Sequence, residues 1–322
     1  MAHWYDQVLP AFVQDVANKY IIDNPMSVFD IFPQVNTNKL TGYIAKYSKA
    51  DWLRIGTVTD YLRAGATESI GDDFAVTKQA YTVLEYSFHK DVCRDDYLEY
   101  DNPFDPINDA IAFCTQRLNR VLLSNLVAKY LPASGVWGTY DDNENLVEWD
   151  YIASSIYVVD PVADVLTAQQ AVEKVTGFKP NRMIITPDVY KALRLNTFIT
   201  NRLKATDDKI VTLGILAKLF DLDTITVLNA PNDVTGDSVT GAPTAYMATR
   251  TALLVYTPDR PTKFAPSAGY QLVYSPGGRT TVEVNRIPMP MLNDALRIEL
   301  SIKVCPVVLS SDLGYQFINT AL

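Results

Sequence analysis

Between Asp105 and Leu131 apolar residues recur at Ile107, Ala110, Ile111, Cys114, Leu118, Val121 and Leu122, the three-and-four spacing that turns one face of a helix toward a core. Asp105 is placed to cap the free amides of the first turn and Pro106 suits the first helical position. Asp109 favours the positive end, Lys129 the negative end, and Leu131-Pro132 stops the run. At about 1.5 Å per residue the predicted helix is roughly 40 Å long. Its other face is polar, with Asn108, Thr115, Gln116, Arg117, Asn119 and Arg120, so it is expected to lie across a sheet and not in a bilayer.

Upstream, Met1 to Asn38 is interrupted by Pro10, Pro25 and Pro33 and reads as an arm with two short helices, Gln7 to Tyr20 and Met26 to Phe32. Two strand-like runs follow, Gly42 to Ile55 and Phe74 to Val92, around a tip containing Gly65, Ala66, Gly71, Asp72 and Asp73. The return run alternates Leu84, Tyr86 and Phe88 against Glu85, Ser87 and His89. Fifteen or so residues of strand reach roughly 50 Å. A two-stranded ribbon of that length is marginal by itself in water. Its aromatic residues Tyr43, Tyr47, Trp52, Tyr81 and Tyr86, with Arg54, are therefore predicted to meet a neighbouring subunit. An ordinary hairpin folded onto its own domain is the alternative.

After the long helix, Gly135 to Tyr157 reads as a hairpin turning at Asp141 to Asn145. Asp160-Pro161 opens a second helix with Val162, Val165, Leu166, Ala168, Val172 and Val175 in period and Gly177 as its stop. A strand at Arg182 to Ile185, a helix from Thr186-Pro187 through Leu195, a polar stretch from Asn201 to Lys209, a helix at Val211 to Phe220 and a strand at Thr224 to Leu228 follow. This alternation predicts an α/β unit with a small central sheet. A surface loop from Asn229 to Pro243 leads to a strand within Ala245 to Tyr256. The tail is β: a hairpin of Tyr270 to Tyr274 and Thr280 to Ile287 around Pro276-Gly277-Gly278, then a strand at Arg297 to Lys303. In that strand Leu296, Ile298, Leu300, Ile302 and Val304 form a dry face, expected to meet the apolar stripe of the Asp105 helix, and Arg297, Glu299, Ser301 and Lys303 a wet one.

The chain has 322 residues, 48% of them apolar, enough for a substantial core. A net charge of −9 argues against phosphate-backbone binding as the main task, though local basic patches stay open. Cys93, Cys114 and Cys305 are too few and too scattered for a disulfide framework or a zinc site. No signal-peptide pattern and no run of about eighteen apolar residues occurs. A cytoplasm-like compartment is expected.

No chemistry assembles from the motifs. The two histidines are His3 and His89, and no G-x-S-x-G elbow supplies a nucleophile, so His89 reads as a solvated strand residue. Asp141, Asn143 and Asn145 have calcium-loop spacing, but Leu146 and Ile152 stand where glycine and a bidentate glutamate are needed. Ser275 to Thr280 lacks the lysine and following helix of a phosphate loop. Asp72-Asp73 and Asp207-Asp208 are solvated charges. No catalytic residue, cofactor or metal is expected.

The order of elements resembles the tailed-bacteriophage major capsid proteins of the Hong Kong 97 type, the Johnson fold. The closest local likeness is Pro180 to Leu193, PNRMIITPDVYKAL, a strand ending at a helix, followed by Asn201-Arg202-Leu203-Lys204. A second is Ile215 to Phe220 leading to the strand at Thr224 to Leu228 and Asn229-Ala230. The resemblance implies an α+β capsid fold, with an N-terminal arm (1–41), an extended two-stranded loop (42–92) and a peripheral domain (93–159) whose spine helix is 105–131. An inserted α/β axial domain (160–256) and closing β strands shared by both domains (257–322) complete it. It further implies an icosahedral shell of five- and six-subunit rings around double-stranded DNA held without sequence-specific contacts. Scaffolding, portal and cement proteins are the further partners it implies, and the virion the location, assembled in the host cytoplasm. Rings of two sizes need hinges, and Gly42, Gly56, Gly65 and Gly71 are the candidates. Some members carry an N-terminal scaffolding segment that is cut off; because the arm here begins at Met1, either a separate scaffolding protein is expected to serve or none is needed. An encapsulin-like nanocompartment shell is the nearest alternative, and a soluble oligomeric enzyme or sugar-binding protein a more distant one.

Overall fold

The computed structural model describes residues 32–47, 57–63, 65, 68–71, 73, 76–95, 105–132, 135–137, 139–142, 149, 160–204, 210–233, 244–260, 266–276, 282–318 and 320. The two arm helices expected before Phe32, and the turn after Asp142, lie outside them.

In chain order the first elements are strands β1 (Gln34–Thr37) and β2 (Thr41–Tyr47), a short 3-10 turn at Val58–Tyr61, and strands β3 (Val76–Thr82) and β4 (Leu84–Val92). Helix α1 (Pro106–Tyr130) is 25 residues long and begins as its sequence dictates. The Asp105 carboxylate accepts from the amides of Ile107 and Asn108, at 3.0 and 3.4 Å, and Pro106 occupies the position whose amide would have no partner. Strand β5 (Thr139–Asp142) and helix α2 (Pro161–Thr176) follow, the latter capped by the Asp160 carboxylate and closed by Gly177 at φ 77°. Then come β6 (Arg182–Ile185), α3 (Pro187–Leu195), α4 (Thr197–Lys204), α5 (Leu213–Leu219) and β7 (Thr224–Val227). The remaining strands are β8 (Pro231–Asp233), β9 (Thr244–Tyr246), β10 (Thr251–Val255), β11 (Gly269–Tyr274), β12 (Val282–Met289), β13 (Ala295–Val308) and β14 (Gly314–Ile318).

The larger core lies between α1 and a sheet built on β13. Leu296, Ile298, Leu300, Ile302 and Val304 are all within 1% of full burial and share one apolar cluster with Ile111, Cys114, Leu118 and Leu122 of α1. Each such side chain contributes roughly 1.5–3 kcal/mol relative to exposure. The expected packing of this strand on the helix is therefore present, and the strand is longer than the Arg297–Lys303 pattern indicated, running 14 residues. Ser301 departs from the expected wet face: it is 2% exposed, opposite Ser87 and Glu283.

β13 has neighbours on both edges. Val304 pairs with Leu84 of β4 and with Val273 of β11, and Ile302 with Tyr86 and with Val282 of β12. Since a strand residue has two sides in the sheet plane, β11 and β12 must follow each other along the edge opposite β4. The hairpin expected of these two runs does not form: each finds its partner on β13, whose length accommodates both. β1 joins the far edge, parallel to β11.

The second core belongs to a sheet ordered β5-β14-β10-β6-β7, with Val165, Val189, Leu193, Ile199, Leu216 and Phe220 from the helices against Met183, Ile185, Leu254 and Phe317 from the strands. This is the expected α/β unit, but two of its strands, β5 and β14, come from outside residues 160–256. The polar stretch after Leu195 contains a helix, because Asn196 ends α3 and its side-chain oxygen accepts from the Phe198 amide at 2.9 Å to start α4.

Tyr130 ties the large core to the chain's early segment. It stacks on Phe32 with ring centroids 4.0 Å apart, and its hydroxyl donates toward the carbonyls of Tyr270 and Val307 at 2.9 and 3.3 Å. Burial raises its phenol pKa.

Candidate assembly interface

Among the described residues β2 and β3 pair only with each other, from Thr41↔Thr82 to Tyr47↔Val76. Seven paired residues make a ribbon about 23 Å long at the usual strand rise. Strand parity gives it two faces. Gly42, Ile44, Gln79 and Tyr81 point toward the body: the Gln79 amide donates to the Val308 carbonyl at 3.0 Å, and the Tyr81 and Thr37 hydroxyls are 3.0 Å apart. Tyr43, Ala45, Val76, Lys78 and Ala80 point outward, Tyr43 with 71% of its surface exposed. At the base, the Val83 amide donates to the Leu40 carbonyl at 2.8 Å.

The excursion beyond the ribbon carries Val58, Tyr61, Leu62 and Ile70, each between 59% and 75% exposed. Single exposed apolar residues are common, whereas several large ones close together are the kind of surface that a partner covers. These four were not singled out from the sequence. The signal was present as apolar residues interspersed in a loop otherwise made of small and polar ones.

Val83 divides the long return run that the sequence suggested. Before it, β3 belongs to the ribbon; after it, β4 joins the main sheet against β13. Tyr86 is therefore not on the ribbon. Its hydroxyl accepts from the Asn125 amide nitrogen of α1 at 3.0 Å, and burial raises its pKa. Of the other predicted interface residues, Tyr43 faces solvent, Tyr81 braces the ribbon against Thr37, and Tyr47 closes the β2 register opposite Val76. Trp52 and Arg54 lie outside the described residues, as does Gly56. Gly65 and Gly71 are exposed, with nothing within 4 Å of an added Cβ. Gly42 does not mark a bend: it sits inside β2, where a Cβ would come within 2.8 Å of the Tyr81 hydroxyl oxygen.

The face of β4, β13 and β12 turned away from α1 is a ladder of charges. Asp91 and Arg297 are joined by two hydrogen bonds of 2.7 and 2.9 Å, and Lys303 lies 3.7 Å from both Glu85 and Glu283. The Arg297 guanidinium beside Asp91 holds that carboxyl below its ordinary range. His89 stands exposed on the same face, opposite Glu299. Among the described residues no group of three or more His, Cys, Asp or Glu side chains is arranged to hold a metal, and no helix is long and apolar enough to cross a membrane.

No protein-family model matches the chain. A curated relative, the major capsid protein of Burkholderia phage BcepMu, is 26% identical over 163 residues, which span 48% of this chain and 49% of that protein, so the match covers about half of the relative's length. Among solved structures, a phage-related protein of Bordetella bronchiseptica RB50 superposes over 98% of both chains with a TM-score of 0.70 at 19% identity. The SrpI encapsulin of Synechococcus elongatus PCC 7942 gives 0.55 at 12% identity over 92% of this chain and 88% of its own. The capsid of cyanophage P-SCSP1u gives 0.52 at 10% identity, over 90% and 87%. The chain has the fold that phage capsid proteins share.

Proposed function

We propose that this chain is the major capsid protein of a tailed phage, a structural subunit and not a catalyst, which self-assembles into an icosahedral shell enclosing double-stranded DNA. The observation that carries the reading is the β2–β3 ribbon, which among the described residues pairs with no other strand, and whose excursion leaves Tyr43, Val58, Leu62 and Ile70 in solvent. A heterologous contact of this kind, ribbon on one copy and body on the next, closes into rings, and several such contacts per subunit hold the shell by multivalency. The spine helix α1 and its sheet are the rigid body, the α/β unit is the axial domain, and Gly65 and Gly71 are the hinges that let one ribbon serve rings of five and six. Scaffolding, portal and cement proteins are further partners, and the virion is the location. The 26%-identical capsid relative and the capsid fold support this assignment.

The encapsulin likeness favours a second reading, a nanocompartment shell, because its TM-score of 0.55 stands beside the 0.52 of the cyanophage capsid. Deletion of residues Thr57 to Phe74 tests the shell itself: the variant melts near the wild-type temperature but gives no particles by electron microscopy. Particles from the deletion variant refute the ribbon's role. Enclosed nucleic acid against a co-purifying protein cargo separates the two shells.

A further inference from the structure

Strand parity gives the sheet of the α/β unit two unlike faces. Met183, Ile185, Ala252, Leu254 and Phe317 lie in the core covered by α2 to α5, while the residues between them, Ile184, Leu253 and Val255, belong to the core of α1 and β13. On β14, Gly314 and Gln316 stand opposite Val255 and Leu253 and share that second face. Both are met by the chain leaving α1. A Cβ on Gly314 would fall inside the Trp137 indole, and the Gln316 amide donates to the Pro132 carbonyl at 2.9 Å. Trp137 is buried, its indole N–H donates to the Tyr130 carbonyl at 2.8 Å, and its ring lies 6.5 Å from the Tyr130 ring and 21° from parallel. The stack of Phe32, Tyr130 and Trp137 thus rests on one glycine from each sheet, Gly269 of β11 and Gly314 of β14. Where the chain crosses back, the Tyr256 amide donates to the Leu313 carbonyl at 3.0 Å and the Ala268 amide to the Tyr256 carbonyl at 2.9 Å.

We infer that the α/β unit and the body of α1 and β13 are latched by Trp137 into one rigid block with no hinge between them. A hinge needs a few backbone positions that absorb rotation and an interface that slips without opening a void. Rotation here would pull Ile184, Leu253 and Val255 out of the core they share with α1 and drive the indole against the Gly314 backbone. Close-packed interiors resist such bending and change only by switching between discrete arrangements. The latch is steric, because any side chain at position 314 displaces the indole. Adaptation to rings of five and six is then left to the parts that project from the block, the β2–β3 ribbon and its excursion. That consequence rests on the capsid reading above, whereas the block itself does not.

The test is pulsed hydrogen exchange of the full chain across a urea series, read by peptide mass spectrometry. Peptides of α1 report on the first core and peptides of α3 and α4 on the second. Both are expected to lose protection at a single urea midpoint. I199V, a mild cavity in the second core well away from Trp137, is expected to lower the α1 midpoint as far as that of α3. G314A, at the latch, is expected to lower both together. Two midpoints in wild type, or an α1 midpoint that I199V leaves in place, overturn the inference. In assembled particles the peptides carrying the Tyr256 and Ala268 amides are expected to keep the protection they have in free subunits, and its loss there marks an opened hinge and also overturns it. If no particles form, the shell reading fails by itself while a single midpoint still supports the block.

Discussion

Gly269 lies directly beneath the ring of Tyr130. A Cβ built on Gly269 meets the Tyr130 ring at 2.9 Å and the Val307 carbonyl oxygen also at 2.9 Å. The ring can turn only by leaving Phe32 and the two carbonyls its hydroxyl serves, and the Val307 oxygen is part of the ladder between β11 and β13. G269A is therefore expected to destabilise by about 1–3 kcal/mol as an overpacked core. Y130F, which removes only the hydroxyl, costs about 1 kcal/mol. Denaturant midpoints of the two variants check the order.

The exposed ribbon end separates folding from assembly. V58S/L62S/I70S alters side chains that touch solvent, so its melting free energy stays within about 0.5 kcal/mol of wild type. Sedimentation is expected to show subunits or small oligomers in place of shells. A normal yield of particles excludes these residues from the interface.

Thiol reactivity reports on the seating of α1. Cys114 is buried against β13, with its sulfur 4.0 Å from the Ile298 carbonyl, and burial pushes its pKa up to about 11. Cys93 is exposed. Alkylation at pH 8 followed by peptide mass spectrometry is expected to modify Cys93 and spare Cys114 until the protein is denatured.

The Asp91–Arg297 pair sets a direction for acid stability. Asp91 has a lower pKa folded than unfolded, so the unfolded state binds the proton more readily. Its contribution is complete above the unfolded value of about 4 and disappears as pH falls through the lower folded value. The melting temperature of wild type is expected to fall more steeply than that of D91N below pH 4, with the two curves converging. Parallel curves refute the coupling.

Asp160 combines two tasks on α2. It caps the helix through the Val162 amide at 3.2 Å and receives two hydrogen bonds from Arg202 of α4 at 2.7 and 2.6 Å. D160A is expected to cost about 1 kcal/mol for the lost cap, while D160N keeps most of it. Urea denaturation of the two variants measures the difference.

The elements legible in the sequence are those whose ends are specified locally. The strand Arg182–Ile185 and the helix Pro187–Leu195 appear at the residues expected, since a buried β-branched run and a threonine-proline start are read from neighbouring positions. Elements defined by a remote partner were misread. Nothing in the alternation from Val76 to Val92 shows that Val83 passes the chain from one sheet to another, because both halves have the same period. Nothing near Pro276 shows that β11 and β12 each prefer β13 to one another. For the candidate interface, aromatic character on a strand-like run marked Tyr43 and Tyr86 alike, and only the tertiary partner places one in solvent and the other on Asn125. The tip residues Val58, Leu62 and Ile70 follow no period.

The junction at Val83 joins two sheets with one continuous strand path. Its side chain is buried and its amide is anchored to the Leu40 carbonyl, so the chain passes from ribbon to sheet at a fixed point while β4 stays paired with β13. Load applied to the ribbon reaches the body through the Gln79 and Tyr81 braces and as tension along β4, which is sheared against nine residue pairs of β13 at once.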